Sequence, residues 1–535
     1  MDSARPRAQA VAVTDGKITA VGSDREVAAL ANDLTEVIDF GGKVLGPGFV
    51  EPHSHVLLMA LLLAPGILDV RSFAVPTYKG ILDRIRAAIN ERPAGAPVVA
   101  FGLDPYVHGA QLPKREDLDA ISSDQPLVII TLNAHKIAAN SVALAVAGVT
   151  AETPDPPGGQ IGRNEDGSLD GIFIEAPAVG LVLRPLLGLL DFDMMASLRN
   201  QAAELARAGI TTIGELLVQE ADEPALAGMR AMPDFPIRIR TYEATNATLT
   251  PHSVAGETDP MVRHTGLKLW VDGSPLDGKT LHKEPFLDND MTRAMGMVAP
   301  CCGSANYSEA DLLTIVRAYA DSGLQFACHV QGDAATDRIL NVYETVLTER
   351  GMIGTDHRWR LEHCGAMTKD QFERASQLGV TCSMFVAHVY YFGDAYVDYL
   401  FGPERGGHWM RLRSAVDSGI RISLHNDGYF TPPAPIASMQ TAMIRHSSSG
   451  RPMGLDECIG IDDAMAAITT SAAWHLFSEH EVGSIEVGKF ADFVELSADP
   501  YTVEPSELTE KVVVQGTWIN GRRVDVTALG AVDGS

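Results

Sequence analysis

The chain has 535 residues, of which 46% are hydrophobic, and it carries a formal net charge of −27 at pH 7. This composition excludes a disordered protein, and the negative charge makes nucleic acid and anionic membranes unfavourable partners. Six cysteines include no Cys-x-x-Cys pair, so we expect free thiols and no disulfide framework. Without a signal-peptide pattern or an apolar stretch of membrane-spanning length, we expect a cytoplasmic protein of two or three structural units.

Both ends of the chain contain short apolar runs separated by turn residues. Residues 10–21 enclose an Asp-Gly turn, and residues 485–496 enclose a Gly-Lys turn. Such runs predict short strands joined in hairpins. We expect residues 1–45 and 480–535 to form one composite β-sandwich domain.

The middle of the chain, residues 46–479, alternates short apolar runs with helical segments such as 308–321 and 370–378. This alternation is typical of parallel βαβ units. Eight candidate strands suit an α/β fold of the (β/α)8 TIM-barrel type, in which catalytic residues lie at the carboxyl ends of the strands. The predicted strands are 46–50, 211–215, 237–242, 266–271, 324–329, 358–362, 380–384 and 420–424.

The segment between the first two predicted strands is several times longer than one βαβ crossover. Residues 66–195 therefore form a large insertion after strand 1. We expect this insertion to cap the substrate pocket, because it leaves the barrel at the catalytic face. Within it, His135 is a candidate catalytic residue that contacts the substrate carbonyl, and Glu175 is a candidate substrate-binding residue. A structural role is the alternative for both.

Two histidines, His53 and His55, follow the first predicted strand. Because side chains alternate along a strand, residues two apart lie on the same face. The pair therefore suits two ligands of one metal centre, although two ordinary histidines at a strand end are the alternative.

Four further polar residues fall at or just after the ends of predicted strands, namely Lys268, His329, His363 and Asp427. The interval from His329 to His363 corresponds to one strand–helix unit, and the interval from His363 to Asp427 corresponds to two. Neutral imidazoles together with a carboxylate suit zinc or a similar divalent ion. Lys268 could bridge two ions only as a carbamate formed with CO2, since an ammonium group would repel both. An ordinary buried lysine is the alternative.

Several motifs occur in a fixed order along the chain. They are Gly-Pro-Gly-Phe-Val before His53, Lys-Leu-Trp-Val-Asp-Gly-Ser from Lys268, His-Val-Gln-Gly-Asp-Ala-Ala from His329, Leu-Glu-His ending at His363, Asn-Asp-Gly around Asp427, and Gly-Ser-Ile-Glu-Val-Gly-Lys-Phe-Ala-Asp-Phe over 483–493. This set resembles the metal-dependent amidohydrolase superfamily over nearly the whole chain. More narrowly, it resembles amidohydrolase family 3, the branch that contains YtcJ-like proteins and N-substituted formamide deformylases.

The resemblance implies a ligand set. It makes His53 and His55 ligands of one ion and His329 and His363 ligands of a second, with a carboxylated Lys268 as the bridge. The implied cofactor is a pair of divalent ions. Zn2+ is the first candidate, and Mn2+, Fe2+ and Co2+ are the alternatives. Asp427 would be both a ligand and the group that carries the proton from attacking hydroxide to the leaving amine. A homodimer or larger homo-oligomer is also implied.

Other polar and aromatic residues near strand ends are candidates for substrate contact, namely Glu215, Trp270, His388 and Tyr391. The aromatic cluster from His388 to Tyr396 favours a substrate with an aromatic or bulky apolar group. Packing of this segment against the insertion is the alternative.

The function that we expect is hydrolysis of the C–N bond of a small-molecule amide, an N-substituted formamide or a similar partly apolar compound. Hydrolysis of an ester, lactone, carbamate or cyclic amide remains open, since the same water attacks each carbonyl. A metal-binding sensor without catalytic activity remains open as a different class.

Overall fold

The computed structural model describes residues 5–109, 111–156, 159–190, 193–252 and 259–526. Residues 1–4 and 527–535, which belong to the predicted terminal domain, lie outside the described residues. The chain divides into two compact units, Met1–Leu57 with Arg199–Ser535 and Leu58–Leu198. The boundaries between the units fall inside the helices Val56–Leu62 and Met194–Arg207.

The first unit contains a nearly closed barrel of eight parallel strands, which confirms the predicted TIM-barrel class. Each strand is hydrogen-bonded to the next one along the chain. Catalytic side chains are therefore expected at one rim, where all the carboxyl ends meet. The eight barrel strands are Phe49–Ser54, Ile210–Val218, Arg238–Ala244, Val262–Trp270, Gln325–Val330, Arg360–His363, Thr381–Met384 and Ile422–Leu424.

The first barrel strand starts later than the predicted span 46–50. The segment Val44–Pro47 instead pairs antiparallel with Phe493–Leu496, in a separate sheet. Gly48 lies between the two strands, and a Cβ at this position would lie 2.2 Å from Thr211 Oγ1. Only glycine lets the backbone pass so close to Thr211. The prediction was wrong here because the apolar residues on both sides of Gly48 read as one continuous run.

Helices follow the barrel strands along the chain. The two predicted helices are present as Glu309–Tyr319 and Lys369–Leu378. Ser308 begins the first of them, because its side chain accepts the backbone N–H of Asp311. Further helices of this unit are Asp24–Ala28, Glu223–Ala231, Asp290–Ala294, Asp333–Glu349, Ala387–Ala395, Gly402–Gly407, Leu412–Asp417, Pro435–Ile444, Ile461–Ala467, Thr470–His475 and Leu508–Lys511.

Single helical turns complete the unit. The 3-10 turns are Glu220–Asp222, Pro275–Asp277, Leu455–Glu457, Pro500–Thr502 and Pro505–Glu507, and Tyr396–Leu400 is a π-helical turn. Across the described ranges, every helix is too short or too polar to cross a membrane.

Both ends of the chain contribute small β-structures to the first unit. The predicted N-terminal hairpin is present as Ala10–Thr14 and Lys17–Gly22. Ile18 of this hairpin packs in one core cluster with Phe493 and Trp518. A four-stranded antiparallel sheet consists of Val44–Pro47, Phe493–Leu496, Val514–Ile519 and Arg522–Arg523. The β-sandwich arrangement of these parts stays a prediction.

A buried ion pair joins this terminal sheet to the barrel. Arg238, on the third barrel strand, donates from Nε to Asp492 Oδ2 at 2.6 Å, and the two side chains are 0% and 1% exposed. Asp492 directly precedes the strand Phe493–Leu496. Since neither charge reaches water, each depends on the other for its stabilisation.

The second unit, which contains the predicted insertion 66–195, has a six-stranded mixed sheet. Its helix Tyr78–Glu91 buries Ile81 and Ile85 in a core with Val98 and Ile129. The insertion is thus a folded unit with its own core, and its role over the substrate stays a prediction. In sheet order the strands are Ile67–Asp69, Val98–Leu103, Leu127–Thr131, Lys136–Ala139, Leu169–Ile174 and Gln160–Arg163, and the other helices are Pro105–His108, Arg115–Asp119, Ser141–Ala147 and Ala176–Leu187.

Candidate metal centre

Ligand-type side chains converge at the carboxyl ends of the barrel strands. One donor atom from each of His53, His55 and Asp427 lies within 4.8 Å of the others. The same is true of His53, His363 and His425. Because His53 belongs to both groups, the two groups form one continuous cluster.

A buried carboxylate orients His53. Its Nδ1 donates to Glu362 Oε2 at 2.7 Å, and Arg360 forms an ion pair with the other oxygen of Glu362. Burial would raise the pKa of Glu362, but the charge of Arg360 and the hydrogen bond from His53 hold that pKa below its ordinary value. With its proton on Nδ1, His53 directs the lone pair of Nε2 towards Lys268 Nζ and Asp427 Oδ1, at 3.2 and 3.3 Å. That lone pair is the one available to a metal.

His55 and Asp427 form the second part of the cluster. His55 Nε2 lies 3.2 Å from Asp427 Oδ1. Burial lowers the pKa of His55 to about 4, so the ring is neutral at neutral pH, as metal ligation requires. Burial would raise the pKa of Asp427, but the neighbouring His53 and His55 hold it well below its ordinary value. Asp427 is therefore a carboxylate.

Lys268 and His329 lie in the same cluster. Lys268 is 1% exposed, and burial lowers its pKa to about 8. The His329 ring lies 4.3 Å from the His363 ring, measured between centroids. His329 Nε2–H donates to the carbonyl of Gly273 at 3.1 Å, which leaves the lone pair on Nδ1. The structure thus brings all six predicted ligand-type residues together.

Two of these residues have unusual backbone angles. The φ angles of His363 and Asp427 are 71° and 59°, which costs on the order of 1 kcal/mol or more each for residues other than glycine. Gly428 follows Asp427 with a φ of 52°, and a Cβ there would lie 2.6 Å from His55 N. A glycine is needed at this position for the turn to reach the backbone of His55. Strain of this kind is concentrated at functional sites.

His425 is a member of the cluster that the sequence analysis missed. It is fully buried, and its ring stacks on that of His53 with 4.5 Å between centroids and 11° between planes. A signal was present in the sequence, since His425 precedes Asp427 by the same two-residue spacing that separates His53 from His55.

Glu51 is a second residue that the sequence analysis missed. Its carboxyl oxygens accept the backbone N–H and the side-chain N–H of Asn426, at 2.6 and 3.0 Å. Burial raises the pKa of Glu51 to about 8. This contact links the first barrel strand to the segment after the eighth, so it helps to hold the neighbouring Asp427 in place.

His388 packs against the ring of Phe385, which also packs against His425 of the cluster. Phe385 is 4.1 Å from His388 and 5.0 Å from His425, between ring centroids. His388 Nδ1 accepts from Tyr396 Oη at 3.0 Å and from Trp409 Nε1 at 3.3 Å. The proton of the neutral ring therefore lies on Nε2.

The other predicted substrate-binding residues of the first unit occupy different environments. Trp270 lies with its ring centroid 5.3 Å from Lys268 Nζ. Glu215 is buried, accepts the backbone N–H of Leu57 at 3.3 Å and lies 4.0 Å from His55 Nδ1. Tyr391 is half-buried and packs against Tyr390. Their contacts with a substrate remain predictions.

The aromatic cluster after the seventh barrel strand is largely internal. Phe392 and Tyr396 are 2% and 0% exposed and pack around His388. The protein itself buries these two rings. The expected preference for an aromatic or bulky apolar substrate therefore stays a prediction.

His135 and Glu175 lie in the second unit. His135 Nδ1 and Glu175 Oε2 are 2.8 Å apart, and the side chains are 50% and 39% exposed. Glu175 has a φ of 67°. Their predicted roles, in catalysis and in substrate binding, stay predictions.

The donor set fits a divalent metal. Asp427 Oδ1 and His363 Nδ1 are buried and lack a hydrogen-bond partner among the described residues. Such atoms are costly to bury unless something binds them. Neutral imidazoles with a carboxylate are typical zinc ligands. A TIM barrel with ligand-type side chains at its strand ends is the architecture of many metal-dependent enzymes.

The sequence model of the amidohydrolase family matches residues 36–525. The chain therefore belongs to the amidohydrolase family. This membership confirms the family inferred from the motifs and, with it, the prediction that the protein is an enzyme.

Similar proteins cover the chain almost completely. It is 26% identical to the N-substituted formamide deformylase of Arthrobacter pascens, over 97% of this chain and 95% of that protein. It is also 26% identical to the putative amidohydrolase YtcJ of Bacillus subtilis, over 97% and 96%. The crystal structure of an uncharacterized metal-dependent hydrolase from Pyrococcus horikoshii has a TM-score of 0.72 at 21% identity, covering 93% of this chain and 95% of that one. This last similarity supports the fold.

Proposed function

We propose that the protein hydrolyses the C–N bond of a small, partly apolar amide, with N-substituted formamides as the first substrate class. The observation that carries the proposal is the cluster in which His53, His55 and Asp427 place their donor atoms within 4.8 Å of one another. The named activity of the Arthrobacter pascens relative, to which this chain is 26% identical, supports the substrate class.

The ligand set proposed for this chain serves two divalent ions. His53, His55 and Asp427 would hold one, His329 and His363 would hold the other, and Lys268 would bridge them as a carbamate. Zn2+ is the first candidate, with Mn2+, Fe2+ and Co2+ as alternatives. When bound, the ions would make hydroxide available at neutral pH and polarise the scissile carbonyl.

Asp427 is the group that moves the proton. Its Oδ1 lies 3.3 Å from His53 Nε2 and 3.2 Å from His55 Nε2, so it faces the centre of the cluster. As a carboxylate it accepts the proton of the attacking hydroxide and then delivers it to the leaving nitrogen. An amide requires this delivery, because an amine leaves poorly as an anion. Glu51 supports the position of Asp427 through its two contacts with Asn426.

His388 is proposed to orient the substrate. Because Tyr396 and Trp409 both donate to its Nδ1, Nε2–H remains as a hydrogen-bond donor for an amide carbonyl. Burial lowers the pKa of His388 to about 3, so the ring remains a neutral donor. Trp270 and Tyr391 are the proposed apolar contacts of the substrate.

The test is a substrate screen with protein loaded with Zn2+ or Mn2+. The panel contains N-alkyl and N-aryl formamides, larger amides, aryl esters, lactones and carbamates, and the readouts are the released amine and the released acid. We expect the formamides to be cleaved and the His53→Ala variant to be inactive. If esters or lactones are cleaved and no amide is cleaved, an ester or lactone hydrolase replaces the amide assignment. Metal-loaded protein that cleaves none of these compounds would refute the hydrolase proposal and favour the sensor.

A further inference from the structure

His425 is a buried histidine that the proposed mechanism does not use. It follows the eighth barrel strand directly, and its side chain is 0% exposed. Neither ring nitrogen has a hydrogen-bond partner in the part of the chain that the structure describes. A neutral imidazole has one N–H and one lone pair, so this ring buries both a donor and an acceptor without partners. Such a position calls for a ligand, because an unsatisfied buried polar group costs about 1–3 kcal/mol.

The surroundings of His425 hold its ring in a defined orientation. The ring is nearly parallel to that of His53, at 11°, and to that of Phe385, at 26° and 5.0 Å between centroids. Its backbone N–H donates to the carbonyl of Met384 at 3.2 Å. One of its nitrogens also lies within 4.8 Å of donor atoms of His53 and His363. The ring without hydrogen-bond partners therefore lies beside the candidate metal ligands His53 and His363.

The ring planes indicate which ion His425 can serve. An imidazole binds a metal along its lone pair, in the plane of the ring, at about 2.0 Å. The rings of His425 and His53 are stacked and nearly parallel, so an ion shared by both would lie outside the plane of at least one ring. The ring of His363 is inclined by 62° to that of His425, with 5.0 Å between centroids. Lone pairs in planes inclined in this way can converge on a common point.

We infer that His425 is a further metal ligand and that it serves the same ion as His363, an inference that rests on the proposed function. This ion would then be held by three neutral imidazoles, whereas the ion of His53 and His55 has the carboxylate of Asp427. Three histidines form a ligand set suited to Zn2+. The two ions would therefore occupy chemically different sites.

Two substitutions separate ligation from stacking. His425→Phe keeps an aromatic ring between the same neighbours but has no nitrogen, and His425→Ala removes both properties. The matched control is His264→Phe, because His264 is another buried histidine on a barrel strand with an unpartnered Nε2 among the described residues, and it is not in the cluster. Circular dichroism and thermal unfolding show that each variant folds.

Metal content is the primary readout. Each protein is saturated with Zn2+, freed of excess metal by gel filtration and analysed by atomic emission, and the absorption spectrum of Co2+-loaded protein reports the coordination sphere. We expect both His425 variants to retain one ion fewer than the wild type, with a changed Co2+ spectrum, and His264→Phe to match the wild type. Retention of the full metal content and Co2+ spectrum by His425→Phe would overturn the inference, whether or not His425→Ala loses metal. A wild-type protein that binds no metal would instead refute the proposed function itself.

Discussion

Glu362 Oε2 accepts the Nδ1–H of His53 at 2.7 Å, and neither side chain is exposed to solvent beyond 1%. The two residues are far apart in the sequence and meet only because the first and sixth barrel strands face the same interior. Their contact determines which nitrogen of His53 is free to bind a metal. The ion pair between Glu362 and Arg360 keeps the carboxylate charged inside the barrel.

The first prediction follows from this contact. Glu362→Gln removes the charge while preserving the size of the side chain, so His53 becomes a weaker and less well oriented ligand. We expect metal affinity to fall by about 10–100-fold, measured by competition with a chelator of known affinity. Glu457→Gln is the control, since Glu457 is also buried and accepts two hydrogen bonds from Ser414. Equal affinities for Glu362→Gln and the wild type would contradict the proposed role.

The second prediction concerns proton transfer by Asp427. Asp427→Asn keeps a metal-ligating oxygen but cannot carry a proton, so kcat for an amide should fall by about 10²–10⁴-fold. The fall should be smaller for an aryl ester, whose phenolate leaves without protonation. Both rates are measured on protein of known metal content. An identical loss for both substrates would show that Asp427 acts only as a ligand.

The third prediction concerns the state of Lys268. Lys268 Nζ lies 3.2 Å from His53 Nε2, where an ammonium would be repelled by any bound ion. We expect metal-loaded protein prepared with 13C-bicarbonate to show a carbamate carbon signal in its NMR spectrum. The signal should vanish in Lys268→Met and persist in Lys369→Met, which replaces an exposed lysine. A two-metal wild-type protein without any carbamate signal would exclude the proposed bridge.

The fourth prediction concerns stability. Asp492→Ala leaves the guanidinium of Arg238 buried without its carboxylate partner, so the free energy of unfolding should fall by about 3–5 kcal/mol. The measurement is urea denaturation followed by circular dichroism. Glu223→Ala, which breaks a more exposed ion pair with Arg230, should leave the midpoint close to that of the wild type. A double replacement of Arg238 and Asp492 by apolar residues should recover part of the loss, since no charge is then left unpaired.

The sequence predicted the barrel well because each strand is a short apolar run between turns. The predicted strand 324–329, for example, is Gln325–Val330 in the structure. The prediction failed at residues 46–50, since an apolar run does not reveal which of two sheets its residues join. The sheet of the second unit was not predicted either. Its strand Lys136–Ala139 pairs with Leu127–Thr131 on one side and Leu169–Ile174 on the other, and such pairing depends on distant segments.

Some residues of the candidate site were also predictable from the sequence, and others were not. Ligand-type residues such as His329 and His363 were predictable, because each lies at the end of its own strand in a recognisable motif. Glu51 and Glu362 were not, because they act through Asn426 and His53, which lie in other parts of the barrel. Contacts across a barrel have no local signature in the sequence.

The strand Val44–Pro47 leads through Gly48 into the strand that contains His53, yet its own partner is Phe493–Leu496. Synthesis starts at the N-terminus, so the His53 segment leaves the ribosome early and its supporting strand leaves it among the last. A nascent or truncated chain that ends before residue 493 has the first two histidines without the sheet that holds them. The strand that leads into the His53 strand therefore gains its sheet partner only after nearly the whole chain has been made.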